Sequence, residues 1–391
     1  LLIIMNKVAI IGVGHSKFGN RTDVNLCELA FESIKESLND ANITQKDIDF
    51  VSVGTTGGWY EESLPAIVIN EYAGLTPKGV VRVESACATG SAAVRECFTS
   101  IASGLSDIAI AIGVEKMTEV DISTAIEMIG RAGSYLWEFE NYGVTFPAYY
   151  AMYANAHMNK FGTTEEQLGL VSVKAHKYGA MNPLAQFQKE VALNDILNSY
   201  VISWPLRLYN SCPVSDGSST VILASERIAE QLTKDPIWIK GIGVASDSAN
   251  LSRRLDYLGI QSTVQAANDA YSMSKTTPKH FDVACVHDCF SIAEIMAYED
   301  LGFCKKGEGG KLIQENQTYI GGSIPVNVDG GLKAKGHPIG ATGTSMIVEI
   351  TKQLRNECGK RQVPIKNGLG LVHNVGGTGH SCYVTVLGVD K

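Results

Sequence analysis

Three segments of this chain carry side chains suited to nucleophilic and proton-transfer chemistry. The first is Val83-Glu84-Ser85-Ala86-Cys87-Ala88-Thr89-Gly90-Ser91-Ala92-Ala93, where a β-branched, strand-like run gives way to small helix-forming residues. A cysteine at a helix start lies among unpaired backbone N–H groups and the positive end of the helix dipole, and both favour thiolate over thiol. Cys87 is therefore a candidate nucleophile; the alternative is a small buried hydrophobe. The other two segments are His287-Asp288-Cys289-Phe290 and Gly336-His337-Pro338-Ile339-Gly340-Ala341-Thr342-Gly343. They add a second thiol and two imidazoles, whose protons exchange near neutral pH. Each has a plainer reading: His337 as part of a turn, His287 as a satisfied core histidine ending a buried strand. Cys285, His287 and Cys289 alternate along one strand face and imitate metal ligands. A structural zinc normally needs four ligands, often from paired CxxC-type knuckles, and the sequence has none, so no metal is expected.

The rest of the chain must position these groups. Its 391 residues exceed one ordinary core and point to two domains or a large α/β architecture. Hydrophobic content of 45% with 19% charge describes a globular chain with much buried sheet, not a disordered one. A net charge of −8 without any Lys/Arg block argues against nucleic-acid binding. Nine scattered cysteines read as reduced thiols, hence a cytoplasmic location. No apolar run reaches membrane-spanning length. Leu1-Leu2-Ile3-Ile4 before Met5 resembles neither signal peptide nor anchor; it either extends the first strand or precedes a start at Met5.

Internal repetition organises the chain. Ile10–Gly14 resembles Gly241–Ala245, and Thr44–Gly54 lines up with Thr277–His287 as a turn, an acidic residue and a buried strand. Cys87–Ser91 lines up with Gly340–Thr344, and Asp107–Gly113 with Gly368–Asn374. Four correspondences in the same order describe two similar α/β halves, 1–225 and 226–391. The stretches from Ser91 to Ser103 and from Thr342 to Leu354 read as buried helices with little charge near their starts. Two such helices between two sheets give five αβαβα layers and bring Cys87 and the His337 loop into one pocket. The first half carries an insertion, about 115–212, with Trp137, Tyr142, Phe146, Tyr149, Tyr150, Tyr153 and His157. It reads as a subunit contact or structural flap, or as a lid over a substrate tail.

With these motifs in hand, the chain resembles the thiolase superfamily across nearly its whole length. Within it, the sterol-carrier-protein-type and archaeal acetyl-CoA acetyltransferases are most similar. The resemblance rests on the segment around Cys87, HDCF at 287–290, GHPIGATG at 336–343 and HNVGGTG at 373–379. His157–Thr164, Asn182–Phe187 and Cys212–Gly217 also look like that branch. Better-known biosynthetic thiolases place an acid/base cysteine in a C-terminal CxGGG loop. Here that loop reads His373-Asn374-Val375-Gly376-Gly377, and Cys289 stands where the other branch has the alanine of NEAF.

The resemblance implies a thiolase-like αβαβα fold and a reversible Claisen condensation of two acetyl-CoA molecules, ping-pong through acetyl-Cys87. Cys289 would be the acid/base, His337 the base for Cys87, and His287 and His337 the donors to an enolate. Asn374 and the Val375–Gly376 loop would bind substrate, with the roles of His373 and Asn374 the least defined. No cofactor is implied beyond the coenzyme A thioesters themselves. A role at the start of mevalonate synthesis follows, with a homodimer or homotetramer. A complex with HMG-CoA synthase and a zinc-ribbon/OB-fold acyl-CoA-binding protein is also implied. The alternatives are a 3-ketoacyl-CoA thiolase of longer chains, an HMG-CoA synthase or ketoacyl synthase-like enzyme, and a non-catalytic acyl-CoA-binding scaffold.

Overall fold

The computed structural model describes residues 6–390, so the tetrapeptide at 1–4 lies outside the described residues. The chain begins with β1 (Val8–His15), α1 (Leu26–Ala41), β2 (Phe50–Gly54), α2 (Pro65–Tyr72), β3 (Gly79–Val83), α3 (Thr89–Ala102) and β4 (Ile108–Lys116). An excursion follows through α4 (Ile122–Gly130), α5 (Phe146–Phe161), α6 (Glu165–Gly179), α7 (Leu193–Leu197), β5 (Val201–Ser203) and β6 (Leu206–Arg207). β7 (Asp216–Ser225) and α8 (Glu226–Leu232) return the chain to the sheet. Then come β8 (Ile237–Ser246), α9 (Gln261–Ser274), β9 (Val283–Val286), α10 (Ser291–Asp300), α11 (Gly309–Gln314), α12 (Ile339–Leu354), β10 (Leu369–Gly376) and β11 (Ser381–Gly388).

Strand pairing repeats across the middle of the molecule. The order is β3-β2-β4-β7-β1-β8-β11-β10-β9, and the halves meet where Ala9 and Ile10 of β1 pair with Trp238 and Ile237 of β8. Antiparallel β1–β7 answers antiparallel β8–β11, and β4–β7 answers β10–β11. Parallel β2–β4 answers parallel β9–β10. Even β3 has a partial counterpart, a lone parallel bridge between Ala284 and Val326. The repeats read in the sequence are these paired elements.

The layers follow from which helix faces can be buried. α1 covers β1 and β7 on one outer face and α9 covers β8 and β11 on the other, while α3 packs on β2 and β4 and α12 lies between the two halves of the sheet, against β4 and β7 on one side and β9 and β10 on the other. α12 is buried along nearly all of its length, as a helix enclosed on every side must be. α3 and α12 cross where neither has a side chain. A Cβ on Gly90 would lie 2.6 Å from the Thr344 nitrogen, and one on Gly343 would strike the Ser91 nitrogen. These two glycines occupy equivalent places in the repeat, so the crossing sits on the pseudo-twofold axis.

The insertion is a wall, not a lid alone. Tyr149, Tyr150 and Tyr153 of α5 are 0% exposed and belong to the main core, while Trp137 and Tyr142 face solvent. His157 of the same helix is fully buried between Thr163 and Glu299. α5 therefore reaches the centre of the molecule and can touch the groups assembled there.

Candidate active site

Four segments end at one cavity. Cys87 lies between β3 and α3, His287 to Cys289 between β9 and α10, and His337 just before α12. The fourth segment is the turn after β10, which carries Gly377. The cavity has a volume of about 280 Å³, and Cys87, Cys289, His337 and Gly377 all line it. One donor atom each from Cys87, His287 and His337 falls within 4.8 Å of the others, and the two imidazole rings meet edge to face at 5.1 Å. The turn before Cys87 is tight: Ala86 adopts φ 48°, a left-handed conformation unfavourable for a residue with a Cβ. The Thr89 hydroxyl fastens it, accepting from the Ser85 N–H at 2.8 Å and donating to the Ala86 carbonyl at 2.6 Å.

Hydrogen bonding fixes opposite tautomers on the two rings. The Thr342 hydroxyl has one proton and donates it to the Pro338 carbonyl. Donating there, it accepts from His337 Nδ1 at 2.7 Å, the arrangement that puts the His337 proton on Nδ1 and leaves its unpartnered Nε2 as a base. At His287 the logic reverses. The Asn374 amide nitrogen donates to the Cys87 carbonyl at 3.1 Å, while its oxygen accepts from Ser91, which fixes the amide's orientation. The same NH2 group donates to His287 Nδ1 at 3.1 Å, so His287 carries its proton on the unpartnered Nε2. One ring offers a base and the other a donor.

Burial sets the resting protonation. It pushes the Cys87 thiol up to about 12, against the pull of the Gly377 and Cys87 backbone N–H groups. Burial also lowers His337 to about 3 and takes His287 well below the ordinary imidazole range, with the neighbouring His337 and His373 adding to the effect. The thiolate expected from the helix dipole is thus not the resting form. α3 begins at Thr89, two residues beyond Cys87, and loss of solvent outweighs a dipole that fades within one turn. Cys87 needs a base to ionise it, and the bare Nε2 of His337 is suited to that.

The second thiol sits in a more crowded place. Burial raises Cys289 well above the usual thiol range, and Cys212, Cys87 and Asp288 reinforce it, while the Tyr150 hydroxyl opposes it. Cys212 lines the same cavity and donates its N–H to the Cys289 carbonyl at 2.9 Å. Asp288 points away into the core. Its carboxylate accepts from the Leu332 N–H at 2.7 Å and from Lys333 Nζ at 2.8 Å, so a fully buried ion pair anchors the residue between His287 and Cys289.

The remaining candidates separate clearly. Asn374 is at the site, holding Cys87 and His287 together. Val375 is a core residue at 1% exposure, and Gly376 packs against the Ser85 carbonyl. The amide facing the Cys87 sulfur belongs to Gly377, one residue beyond the expected donor. His373 turns to the opposite face of β10 and meets Thr263 at 2.9 Å, where Cys382 also lies. Tyr150, Cys212, Ser91 and Thr342 were not among the sequence candidates. Thr342 and Gly377 stand inside recognised motifs, whereas nothing distinguishes Tyr150 from its aromatic neighbours.

The chain is similar to known proteins along nearly its whole length. Residues 8–203 match the family described as thiolase, N-terminal domain, and residues 243–389 match thiolase C-terminal domain-like. The acetyl-CoA acetyltransferase of Methanothermobacter thermautotrophicus is 44% identical over 98% of this chain and 99% of its own length. That of Methanocaldococcus jannaschii is 42% identical with the same coverage. Sterol carrier protein 2 of Bos taurus is 35% identical over 95% of this chain and 70% of its own. Among solved structures, the Ltp2-ChsH2(DUF35) aldolase has a TM-score of 0.86 at 25% identity, covering 100% of this chain and 99% of that one.

Proposed function

This chain belongs to the thiolase family and is an acyltransferase, and from that premise we propose that it condenses two acetyl-CoA molecules to acetoacetyl-CoA and CoA. Two acetyl-CoA acetyltransferases among its relatives support the substrate. The carrying observation is that Cys87, Cys289 and the His337 ring line one cavity, the ring's bare Nε2 serving as base.

The cycle balances its protons over these groups. His337 Nε2 takes the Cys87 proton, and the thiolate attacks the thioester carbonyl. The Gly377 and Cys87 N–H groups, which face the sulfur, stabilise the resulting oxyanion. As the carbonyl re-forms, CoA leaves with the proton of Cys289. Acetyl-Cys87, protonated His337 and a Cys289 thiolate remain. That thiolate removes a methyl proton from the second acetyl-CoA, and the enolate oxygen accepts from Nε2–H of His287 and of protonated His337. The enolate carbon attacks acetyl-Cys87. Collapse expels Cys87 as thiolate, which recovers its proton from His337, and every group is restored.

Replacing Cys289 by Ala tests this division: acetylation of Cys87 should slow, because CoA must then leave without a proton from Cys289, while methyl deuterium exchange and condensation should be lost altogether. A Cys289→Ala enzyme that still exchanges and condenses would contradict it. A second reading, thiolysis of longer 3-ketoacyl-CoA, is favoured by the apolar cavity wall of Ile126, Ile129, Ala132 and Phe146. Comparing thiolysis rates of four- and eight-carbon substrates separates the two.

The proposal extends to context. Among the described residues no helix is long and apolar enough to cross a membrane. All nine cysteines are free, as in a cytoplasmic enzyme, and acetoacetyl-CoA as product suits the start of mevalonate synthesis. β3 is an edge strand exposed along much of its length, which supports pairing with a second copy in a homodimer or homotetramer. A DUF35 protein accompanies Ltp2 in its structure, which supports an analogous DUF35-type partner here. We place the boundary between halves after residue 225, where β7 ends.

A further inference from the structure

Tyr150 belongs to the inserted helix α5, yet it touches the two segments that the chemistry depends on. Its hydroxyl donates to the Gly377 carbonyl at 3.0 Å and faces the Cys289 thiol. Its ring stacks on Phe290, the residue after Cys289, at 4.7 Å and 25°. It is fully buried. One turn further along α5, the Tyr153 hydroxyl donates to the Thr378 carbonyl at 2.9 Å, so two tyrosines clamp consecutive carbonyls of the glycine turn. Only the first of them also meets Cys289.

We propose that Tyr150 is a positioning residue that holds Cys289 as thiolate during the lifetime of the acetyl-enzyme and couples that state to the glycine turn facing Cys87. The inference rests on the thiolase reading above. The phenol has one proton and two acceptors within reach. With Cys289 protonated, the phenol donates to the Gly377 carbonyl. Once Cys289 has given its proton to departing CoA, the phenol hydrogen turns to the thiolate, making a charge-assisted bond. The Gly377 carbonyl is then released, while the N–H of the same residue faces the Cys87 sulfur. Nothing is oxidised, and Tyr150 keeps its proton throughout. Cys87, Cys212 and Asp288 also bear on Cys289, the last neutralised by Lys333, and His337 lines the same cavity. None of these offers a phenol-like donor to the thiolate.

The test compares the wild-type enzyme with Tyr150→Phe and Tyr153→Phe. Iodoacetamide labelling of Cys289 is followed by peptide mass spectrometry between pH 7 and 9. Deuterium exchange into the methyl group of acetyl-CoA and acetylation of Cys87 are followed alongside. Phe keeps the stacking and removes only the hydroxyl. The expected result for Tyr150→Phe is Cys289 labelling about tenfold slower at every pH and methyl exchange about 10- to 100-fold slower. Acetylation of Cys87 should stay within about threefold of wild type. Tyr153→Phe should label Cys289 at the wild-type rate. Unchanged Cys289 labelling in Tyr150→Phe, or an equal fall in Tyr153→Phe, overturns the proposal. Failure of the wild type to acetylate Cys87 would instead defeat the thiolase reading, and the labelling comparison would still decide the role of Tyr150.

Discussion

Thr342 holds His337 in one tautomer: its hydroxyl donates to the Pro338 carbonyl and must receive the Nδ1–H of His337 at 2.7 Å. The nitrogen left bare is the one available to Cys87. Thr342→Val keeps the side-chain shape and removes this acceptor. Acetylation of Cys87 should slow about 10- to 100-fold with little change in substrate affinity, since a buried N–H left without a partner costs about 1–3 kcal/mol. Single-turnover acetylation kinetics would show it; an unchanged rate would mean that the tautomer is fixed elsewhere.

Asn374 plays the reverse part at His287, donating to Nδ1 so that the proton stays on Nε2. Asn374→Asp would replace the donor with an acceptor and draw the proton to Nδ1. The enolate would lose one of its two donors. Condensation should fall by about 100-fold or more, as expected when an imidazole is held in the wrong tautomer or an oxyanion donor is lost. Methyl deuterium exchange should fall with it. A variant that exchanges and condenses normally would remove His287 from the enolate site.

The residues that converge on the site were legible in the sequence because the motifs themselves carry them. Cys87, His287, Cys289 and His337 are drawn from three separated segments, and the repeats supply the symmetry that brings two of those segments to one axis. What the sequence does not express is orientation. Alternation along β10 sends Asn374 to the site and His373 to Thr263, and nothing in HNVGGTG says which. The donor to the Cys87 sulfur shifts from Val375–Gly376 to Gly377 because the strand ends there and the chain turns. The helix start beside Cys87 can be read from its own segment, whereas the burial that raises its thiol depends on layers contributed by the other half. Tyr150 was hidden for the same reason: contact with Cys289 joins positions 139 residues apart in the sequence.

Burial of neutral imidazoles predicts acid sensitivity. His15, His337 and His373 are each lowered to about 3 from 6.5, mainly by burial. Between these values the unfolded chain binds more protons than the folded one. Stability is therefore full above about pH 6.5 and falls as the pH drops towards 3. At pH 5 each ring should cost roughly 2 kcal/mol. Urea denaturation at pH 7.5 and pH 5 should show the midpoint falling sharply; equal midpoints would mean that the rings are not held neutral.

The crossing of α3 and α12 has no room for a methyl group. Gly343→Ala would place a Cβ against the Ser91 nitrogen and the Asn374 side chain. Destabilisation of about 3 kcal/mol is expected, the upper range for overpacking a rigid core. Because Asn374 is displaced with it, activity per folded molecule should fall as well. Thermal melting with a parallel assay would reveal both effects, whereas a stable, active Gly343→Ala enzyme would show that the helices can separate.

The most direct test of the account is intact-protein mass spectrometry after mixing with acetyl-CoA, on the wild type and on Cys87→Ser, with acetoacetyl-CoA followed in the same samples. One acetyl adduct is expected on the wild type, none on Cys87→Ser, and product only where the adduct forms. Product formed without an adduct, or an adduct that persists in Cys87→Ser, would contradict the assignment of Cys87 as the nucleophile.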